Sequence, residues 1–234
     1  MSVLAENPMD ESGVWIFPGK VSLDDTQLNY LNSLNMDTLS GAVTLGKWFT
    51  AHGAYAPNAM FQLVLKNERS YLVRILDVTT VKDCKTPLKG TLFYSPAEGV
   101  DEDANLYFDL DSANPQAFDP TASATTEYFA DRTISIAPGG QQVFRVWAAT
   151  REHACSFYLQ FEIIDDNRTV YETVGDGPQP FRISAYVIGS YHNKPYAAYL
   201  AAYPGGDFRP GGPRQSSAGY VEVNPKTFSY DSRF

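Results

Sequence analysis

Two cysteines, Cys84 and Cys155, carry the most readily defined chemistry in this 234-residue chain. Each lies at or near the end of a predicted β-strand. They either form a disulfide or remain two buried thiols. A disulfide would close a loop of about 70 residues and stabilise the fold by roughly 4 kcal/mol. Because cysteine pairs in exported β domains commonly join two strands, while cytosolic thiols stay reduced, we favour the disulfide.

Two groups of acidic residues raise the question of a metal site or of paired catalytic carboxylates. One runs from Glu98 to Asp103, and the other contains Asp109, Asp111 and Asn114. Neither follows the EF-hand spacing, and a solvated acidic loop explains both without Ca²⁺. Asp109 and Asp111 point to the same face of one predicted strand, but two residues of one strand rarely flank a substrate bond. We therefore predict no metal, no cofactor and no catalytic residue.

Other short patterns give weaker indications of chemistry. The segment Gly41–Lys47 matches most of a phosphate-binding loop, but Trp48 replaces the hydroxyl residue that would coordinate Mg²⁺. We treat this match as coincidence. The histidines His52, His153 and His192 have no zinc-ligand spacing, and we interpret them as ordinary surface or packing residues.

Aromatic residues of the C-terminal region provide the candidate binding surface. Residues 189–234 are rich in Tyr, Gly and Pro, and residues 111–126 form a predicted long loop. Tyrosine gives a large contact area and a hydroxyl at modest entropy cost. The alternative is that most of these rings cover the edges of the core. The candidate contact residues are Tyr191, Tyr196, Tyr199, Tyr203 and Tyr220.

The elements that must position these residues are mainly strands. From Phe157 to Ile163 apolar residues alternate with Tyr158, Gln160 and Glu162, the period of two that is typical of a half-buried strand. This strand is predicted to pair with Val143–Ala148 as a hairpin. A second hairpin is predicted from the runs 61–66 and 71–81, and a third turn at 165–168.

One helix is predicted near the N-terminus. Asp24 and Gln27 form a capping-box pattern, and leucines follow at helical spacing. The helix is predicted to end near Asn35. A sheet with one apolar face must bury that face, which favours an antiparallel β-sandwich of immunoglobulin-like or jelly-roll-like type. We predict an N-terminal extension with this helix packed on the core (1–58), a sandwich domain (59–188) and a C-terminal extension (189–234).

Composition narrows the class of partner. The net charge of −9 opposes binding to nucleic acid, which requires clustered Lys and Arg. No apolar run is long enough to span a bilayer, so direct membrane insertion of this chain is not expected. The first ten residues lack the pattern of a secretory signal.

Several sequence blocks resemble an uncharacterised extracytoplasmic domain of actinobacterial proteins, which often stands behind a transmembrane anchor. The resemblance covers Phe61 to Ala185 and includes VRILDVTTVKDC, PLKGTLFYSP and QQVFRVWAATREHACSF. It implies a location outside the membrane, with anchoring by a segment absent from this chain. It also strengthens the expectation that Cys84 pairs with Cys155.

These observations predict a non-enzymatic recognition or structural module of a cell-surface protein, which binds a protein or glycan of the cell envelope. Two alternatives remain. One is a hydrolase of an envelope polymer that uses paired carboxylates such as Asp109 and Asp111. The other is a structural protein of a virion or secreted particle, which would assemble symmetrically.

Overall fold

Strands dominate the secondary structure, which confirms the mainly β class. The structure is a computed structural model and describes residues 2–8, 13–34, 38–95, 105–119, 126–187, 196–206 and 219–228. The elements of the described residues are β1 (Ser2–Pro8), β2 (Val14–Phe17), α1 (Asp25–Ser33), α2 (Leu39–Ala51), β3 (Asn58–Lys66), β4 (Val73–Lys85), β5 (Thr91–Tyr94), β6 (Leu106–Asp109), β7 (Ile134–Ile136), β8 (Gln141–Ala149), β9 (Ala154–Asp165), β10 (Arg168–Val174), β11 (Phe181–Ser184) and β12 (Ala201–Pro204).

The chain divides into two compact units. The first contains residues 1–9, 58–85 and 102–183, and the second contains 10–57, 86–101 and 184–234. The second unit has its own three-stranded sheet, whereas the sequence predicted only extensions on either side of a single sandwich domain. Local patterns marked the strands but could not show that distant segments pair with one another.

The first unit contains two sheets that share one apolar core. One sheet has the order β1-β3-β8-β6, and the other has the order β10-β9-β4-β7 with β11 also paired to β9. Alternate residues of β3, β8 and β6 enter the same buried cluster as alternate residues of β4, β9 and β11. Phe144 of β8 and Phe161 of β9 meet in this cluster, with ring centroids 6.1 Å apart. The arrangement is consistent with the predicted sandwich.

Two predicted hairpins are wrong. β3 and β4 belong to different sheets, and so do β8 and β9. In both cases the chain crosses from one sheet to the other, so consecutive strands are not hydrogen-bonded neighbours. An alternating pattern fixes which face of a strand is buried but does not fix its hydrogen-bonding neighbour.

The predicted turn between β9 and β10 is confirmed. Asp165 pairs with Arg168, and the two residues between them, Asp166 and Asn167, have φ of 47° and 62°. Positive φ at both central residues defines the tight turn that matches the twist of a hairpin. The sheets are not wholly antiparallel, however, because β6 pairs with β8 in parallel and β12 pairs with β5 in parallel.

The second unit is built around the short sheet β12-β5-β2, which is covered on both faces. Phe49 of α2 stacks on Trp15 of β2 with centroids 5.2 Å apart, and Phe93 of β5 stacks on Tyr203 of β12 at 4.5 Å. Tyr196 and other residues near the C-terminus cover the opposite face. Strands buried on both faces have no polar alternation, as these apolar runs show.

Helix α1 is confirmed, together with its capping box. The Gln27 amide donates to Asp24 Oδ1 at 2.8 Å, and the Gln27 side chain accepts from the Asp24 amide at 3.2 Å. Helix α2 was not predicted, and it contains the segment that resembles a phosphate-binding loop. Its glycines and β-branched residues have low helix propensity, so burial of Leu45 and Phe49 on the sheet provides the stabilisation that local sequence lacks.

Candidate functional site

The predicted disulfide joins the two central strands of the five-stranded sheet. Cys84 of β4 and Cys155 of β9 are register partners, with Sγ atoms 2.09 Å apart and Cα atoms 4.1 Å apart. Cys155 is fully buried in the core cluster. The bond therefore ties β4 to β9 at the end of their long ladder and fixes their relative register.

The sheet presents one face to the core and a second, polar and aromatic face away from it. Residues of β9 at the buried parity are Phe157, Leu159, Phe161 and Ile163. The other parity, with its register partners on β4 and β10, forms what we call the outer face. Its members are Asp77, Thr79 and Val81 of β4, Tyr158, Gln160 and Glu162 of β9, and Thr169, Tyr171 and Thr173 of β10.

Strand register arranges the central part of the outer face in rows that run across the strands. One row is Asp77, Glu162 and Tyr171, and the next is Thr79, Gln160 and Thr173. Directly opposed side chains have Cβ atoms about 4.5–5.5 Å apart. Each row therefore presents adjacent hydrogen-bonding groups, and the first row ends in an aromatic ring.

The two tyrosines of the outer face differ in their exposure and in the contacts that hold their rings. Tyr171 is 61% exposed. Tyr158 is half-buried, and its hydroxyl donates to the Pro178 carbonyl at 3.4 Å. Its ring lies against Gly175, where an added Cβ would stand 2.8 Å from the ring carbons and 2.2 Å from the Gln179 carbonyl oxygen. Only glycine fits there, which explains how the segment after β10 approaches and holds this ring.

The carboxylates of Asp77 and Glu162 stand opposite each other without a compensating cation. Neither makes an ion pair with any residue that the structure describes. Burial raises the pKa of Asp77, while a hydrogen bond from the Val78 amide, at 2.8 Å, opposes this effect. Burial of the Asp77 carboxylate is therefore a local cost to the fold, and such costs often accompany function.

A second polar cluster surrounds Asp111, one of the carboxylates that the sequence singled out. Its Oδ1 accepts from the Thr150 hydroxyl and lies 2.7 Å from Nδ1 of His153, and its Oδ2 accepts from the Arg151 amide at 2.6 Å. Burial raises the pKa of Asp111, but hydrogen bonds from His153, the Arg151 amide and Thr150 outweigh it and leave the pKa lowered. The carboxylate thus holds the connection between β8 and β9.

The other acidic and histidine candidates are dispersed. Asp109 accepts the Asp111 amide at 3.0 Å, so these two residues form a local turn. His52 stacks on Trp48 with centroids 4.0 Å apart. His192 and the acidic group 98–103 lie outside the described residues. Within the described ranges, His, Cys, Asp and Glu form no group of three that could hold a metal ion.

The tyrosine surface predicted near the C-terminus is not formed by the described residues. Tyr196, Tyr199, Tyr203 and Tyr220 are all buried, with at most 3% exposure, in the two clusters that cover the small sheet. Their large apolar rings fill the space between sheet and connecting segments, which matches the alternative that they cover a core. Tyr191, the fifth candidate, lies outside the described residues.

The fold and the outer face define a disulfide-containing, mainly β protein with an aromatic and acidic sheet surface. Comparison with protein families, with curated proteins and with solved structures finds no match. Among the helices of the described residues, none is both long enough and apolar enough to cross a membrane.

Sequence reasoning recognised the outward parity of β9 but not the site built on it. Tyr158, Gln160 and Glu162 were identified as the polar side of that strand. Asp77 and Tyr171 were missed because they become neighbours of Glu162 only through the register of three strands. The one sequence signal was an aromatic residue at an outward position of a short strand that follows a tight turn.

Proposed function

We propose that this protein is a non-enzymatic, extracytoplasmic recognition module of a cell-surface protein, and that its outer face binds a glycan of the cell envelope. The observation that carries the proposal is the row Asp77, Glu162 and Tyr171, which places two carboxylates beside an exposed aromatic ring. The outer face takes the place of the C-terminal tyrosines as the proposed contact surface.

The chemistry of the row suits a sugar. A tyrosine ring offers an apolar face on which the C–H face of a sugar ring can pack, and its hydroxyl remains available for hydrogen bonding. Carboxylates accept hydrogen bonds from sugar hydroxyls, and such charge-assisted bonds are stronger than neutral ones. Gln160 and the threonines of the adjacent row, Thr79 and Thr173, add both donors and acceptors.

Rigidity of the face supports the same function. The disulfide links the central strands β4 and β9, and Gly175 allows close support of the Tyr158 ring. A ligand that binds a preformed surface avoids much of the entropic cost of ordering side chains. The two adjacent rows offer hydrogen-bonding groups to successive parts of an extended polymer.

Location outside the cytoplasm is supported by the disulfide. Disulfides persist in oxidising compartments and are rare in cytosolic proteins. The bond joins two residues separated by 71 positions, and it lies within the sheet that carries the proposed site.

Titration calorimetry with soluble fragments of neutral envelope polysaccharide tests the proposal. We expect Tyr171→Ala and Glu162→Gln each to weaken binding by about tenfold or more, because each removes one part of the row. Tyr30→Ala is the matched control, since Tyr30 is a 45% exposed tyrosine of helix α1. Absence of binding by the native protein, or equal losses in the control, would overturn the proposal.

A further inference from the structure

Among the described residues, no further strand pairs with the β10 edge of the five-stranded sheet. β10 is the terminal strand of the sheet order and pairs only with β9 among the described strands. Thr169, Tyr171 and Thr173 are all exposed, and the strand contains neither lysine nor proline. Natural proteins use lysine, proline or a covering segment to prevent pairing at sheet edges.

The register shows which backbone groups point away from the sheet. The two-residue turn closes on Asp165 and Arg168, which form a hydrogen-bonded pair. Hydrogen-bonded and non-hydrogen-bonded pairs alternate in an antiparallel ladder. The amide and carbonyl groups of Thr169, Tyr171 and Thr173 therefore point away from β9, toward the open edge.

We propose that β10 pairs with β10 of a second copy of this chain, in an antiparallel arrangement whose two-fold axis passes between the two Tyr171 residues. This register pairs all three outward residues. Tyr171 lies opposite the partner's Tyr171, and Thr169 lies opposite the partner's Thr173. Each such pair exchanges two main-chain hydrogen bonds. A shift of the register in either direction leaves one of the outward residues without a partner.

Side chains at the proposed interface are complementary to themselves. On the outer face, tyrosine meets tyrosine and threonine meets threonine, and both are favourable cross-strand pairs. On the opposite face Val170 lies across from the partner's Glu172, and no like charges stand directly opposite. Arg168, which makes no ion pair within the described ranges, lies diagonally from the partner's Glu172.

The pairing would join two five-stranded sheets into one and place two outer faces side by side. The pairing does not depend on the identity of any ligand, because backbone direction, register and side-chain type define it. A glycan with repeated units could then contact both copies, which raises the effective affinity without a new contact.

Solution mass tests the pairing. We expect the native protein at high concentration to have about twice the 25.9 kDa mass of one chain by light scattering or sedimentation. Tyr171→Lys places two ammonium groups across the axis, and we expect it to raise the dimer dissociation constant about tenfold or more. Val81→Lys is the matched control, because Val81 is a 48% exposed residue of the same face on an internal strand.

A cross-link tests the position of the axis independently of side-chain charge. Opposed residues in a hydrogen-bonded pair have Cα atoms about 5.5 Å apart, within the range of a disulfide. We expect Tyr171→Cys to form a covalent dimer under mild oxidation much faster than Val81→Cys. A single-chain mass at every concentration, a dimer unaffected by Tyr171→Lys, or equal cross-linking of the two cysteine variants would overturn the proposal.

Discussion

Asp77 of β4 and Glu162 of β9 are register partners on the outer face, so two carboxylates stand opposite each other in the middle of a sheet. Burial raises the pKa of Asp77 above its usual value. Its ionisation therefore costs the folded state free energy, and this cost appears as pH rises from the unfolded pKa through the folded pKa.

Removal of either charge should stabilise the protein. We expect Asp77→Asn and Glu162→Gln to raise the free energy of unfolding at pH 7 by about 0.2–1 kcal/mol, because each relieves like-charge repulsion. Urea unfolding at pH 7 and at pH 3 measures the effect, which should shrink at the lower pH. Destabilisation of both variants at pH 7 would show that the carboxylates make favourable contacts in the fold.

Loss of the disulfide should destabilise the first unit. The bond closes a loop with a sequence separation of 71 residues. In the chain-entropy treatment such a loop contributes about 4 kcal/mol by restricting the unfolded chain. Urea unfolding of the protein with Cys84→Ala and Cys155→Ala should show a loss of this order, and the native protein with reductant is the matched comparison. An unchanged unfolding midpoint would contradict the prediction.

The buried amide of Asn67 should be essential for the crossing from β3 to β4. Its Nδ2 donates to the carbonyls of Tyr71 at 2.8 Å and Ile136 at 2.9 Å, and its Oδ1 accepts from the Arg69 amide at 3.0 Å. Leucine has a similar size but satisfies none of these groups. We expect Asn67→Leu to cost about 3 kcal/mol or more, since each unsatisfied buried group costs about 1–3 kcal/mol.

A half-buried asparagine provides the control for this substitution. The Asn105 side chain accepts a hydrogen bond from the Arg145 amide at 2.7 Å, and it is less buried than Asn67. We expect Asn105→Leu to cost about 1 kcal/mol or less. Thermal or urea unfolding compares the two variants, and equal losses would refute the importance of the buried network.

Buried phenols should make the second unit sensitive to alkali. Burial raises the pKa of Tyr199 to about 12, although the Val187 amide donates to its hydroxyl, and burial also raises the pKa values of Tyr203 and Tyr220. A raised pKa stabilises the fold below the unfolded value near 10, and this stability is lost as pH rises through the folded value. For Tyr199 the loss should reach about 2–3 kcal/mol by pH 12.

Phenolate absorbance during alkaline unfolding measures this effect. The buried phenols should ionise together with loss of structure. Tyr199→Phe should reduce the pH dependence of stability between pH 10 and 12, while Tyr30→Phe, which alters an exposed ring of the same unit, is the control. Full ionisation of all tyrosines with the fold intact would contradict the burial seen here.

Local signals in the sequence were sufficient for several elements. The capping box of α1 and the tight turn at Asp166 and Asn167 depend on residues within a few positions of one another, so sequence spacing specifies them. Alternation in β9 likewise identified its buried and outward residues. Helix α2 was missed because its stability comes from the packing of Leu45 and Phe49, which local propensity does not encode.

By itself, the sequence determined that the protein is mainly β, that one parity of β9 is buried, and that two cysteines lie near strand ends. Only the tertiary structure decided which strands are neighbours, because hydrogen bonds between strands involve backbone groups that every residue shares. That choice separated β8 from β9, buried the C-terminal tyrosines and placed Asp77 and Tyr171 on either side of Glu162. The candidate site is therefore a product of register, which no local pattern specifies.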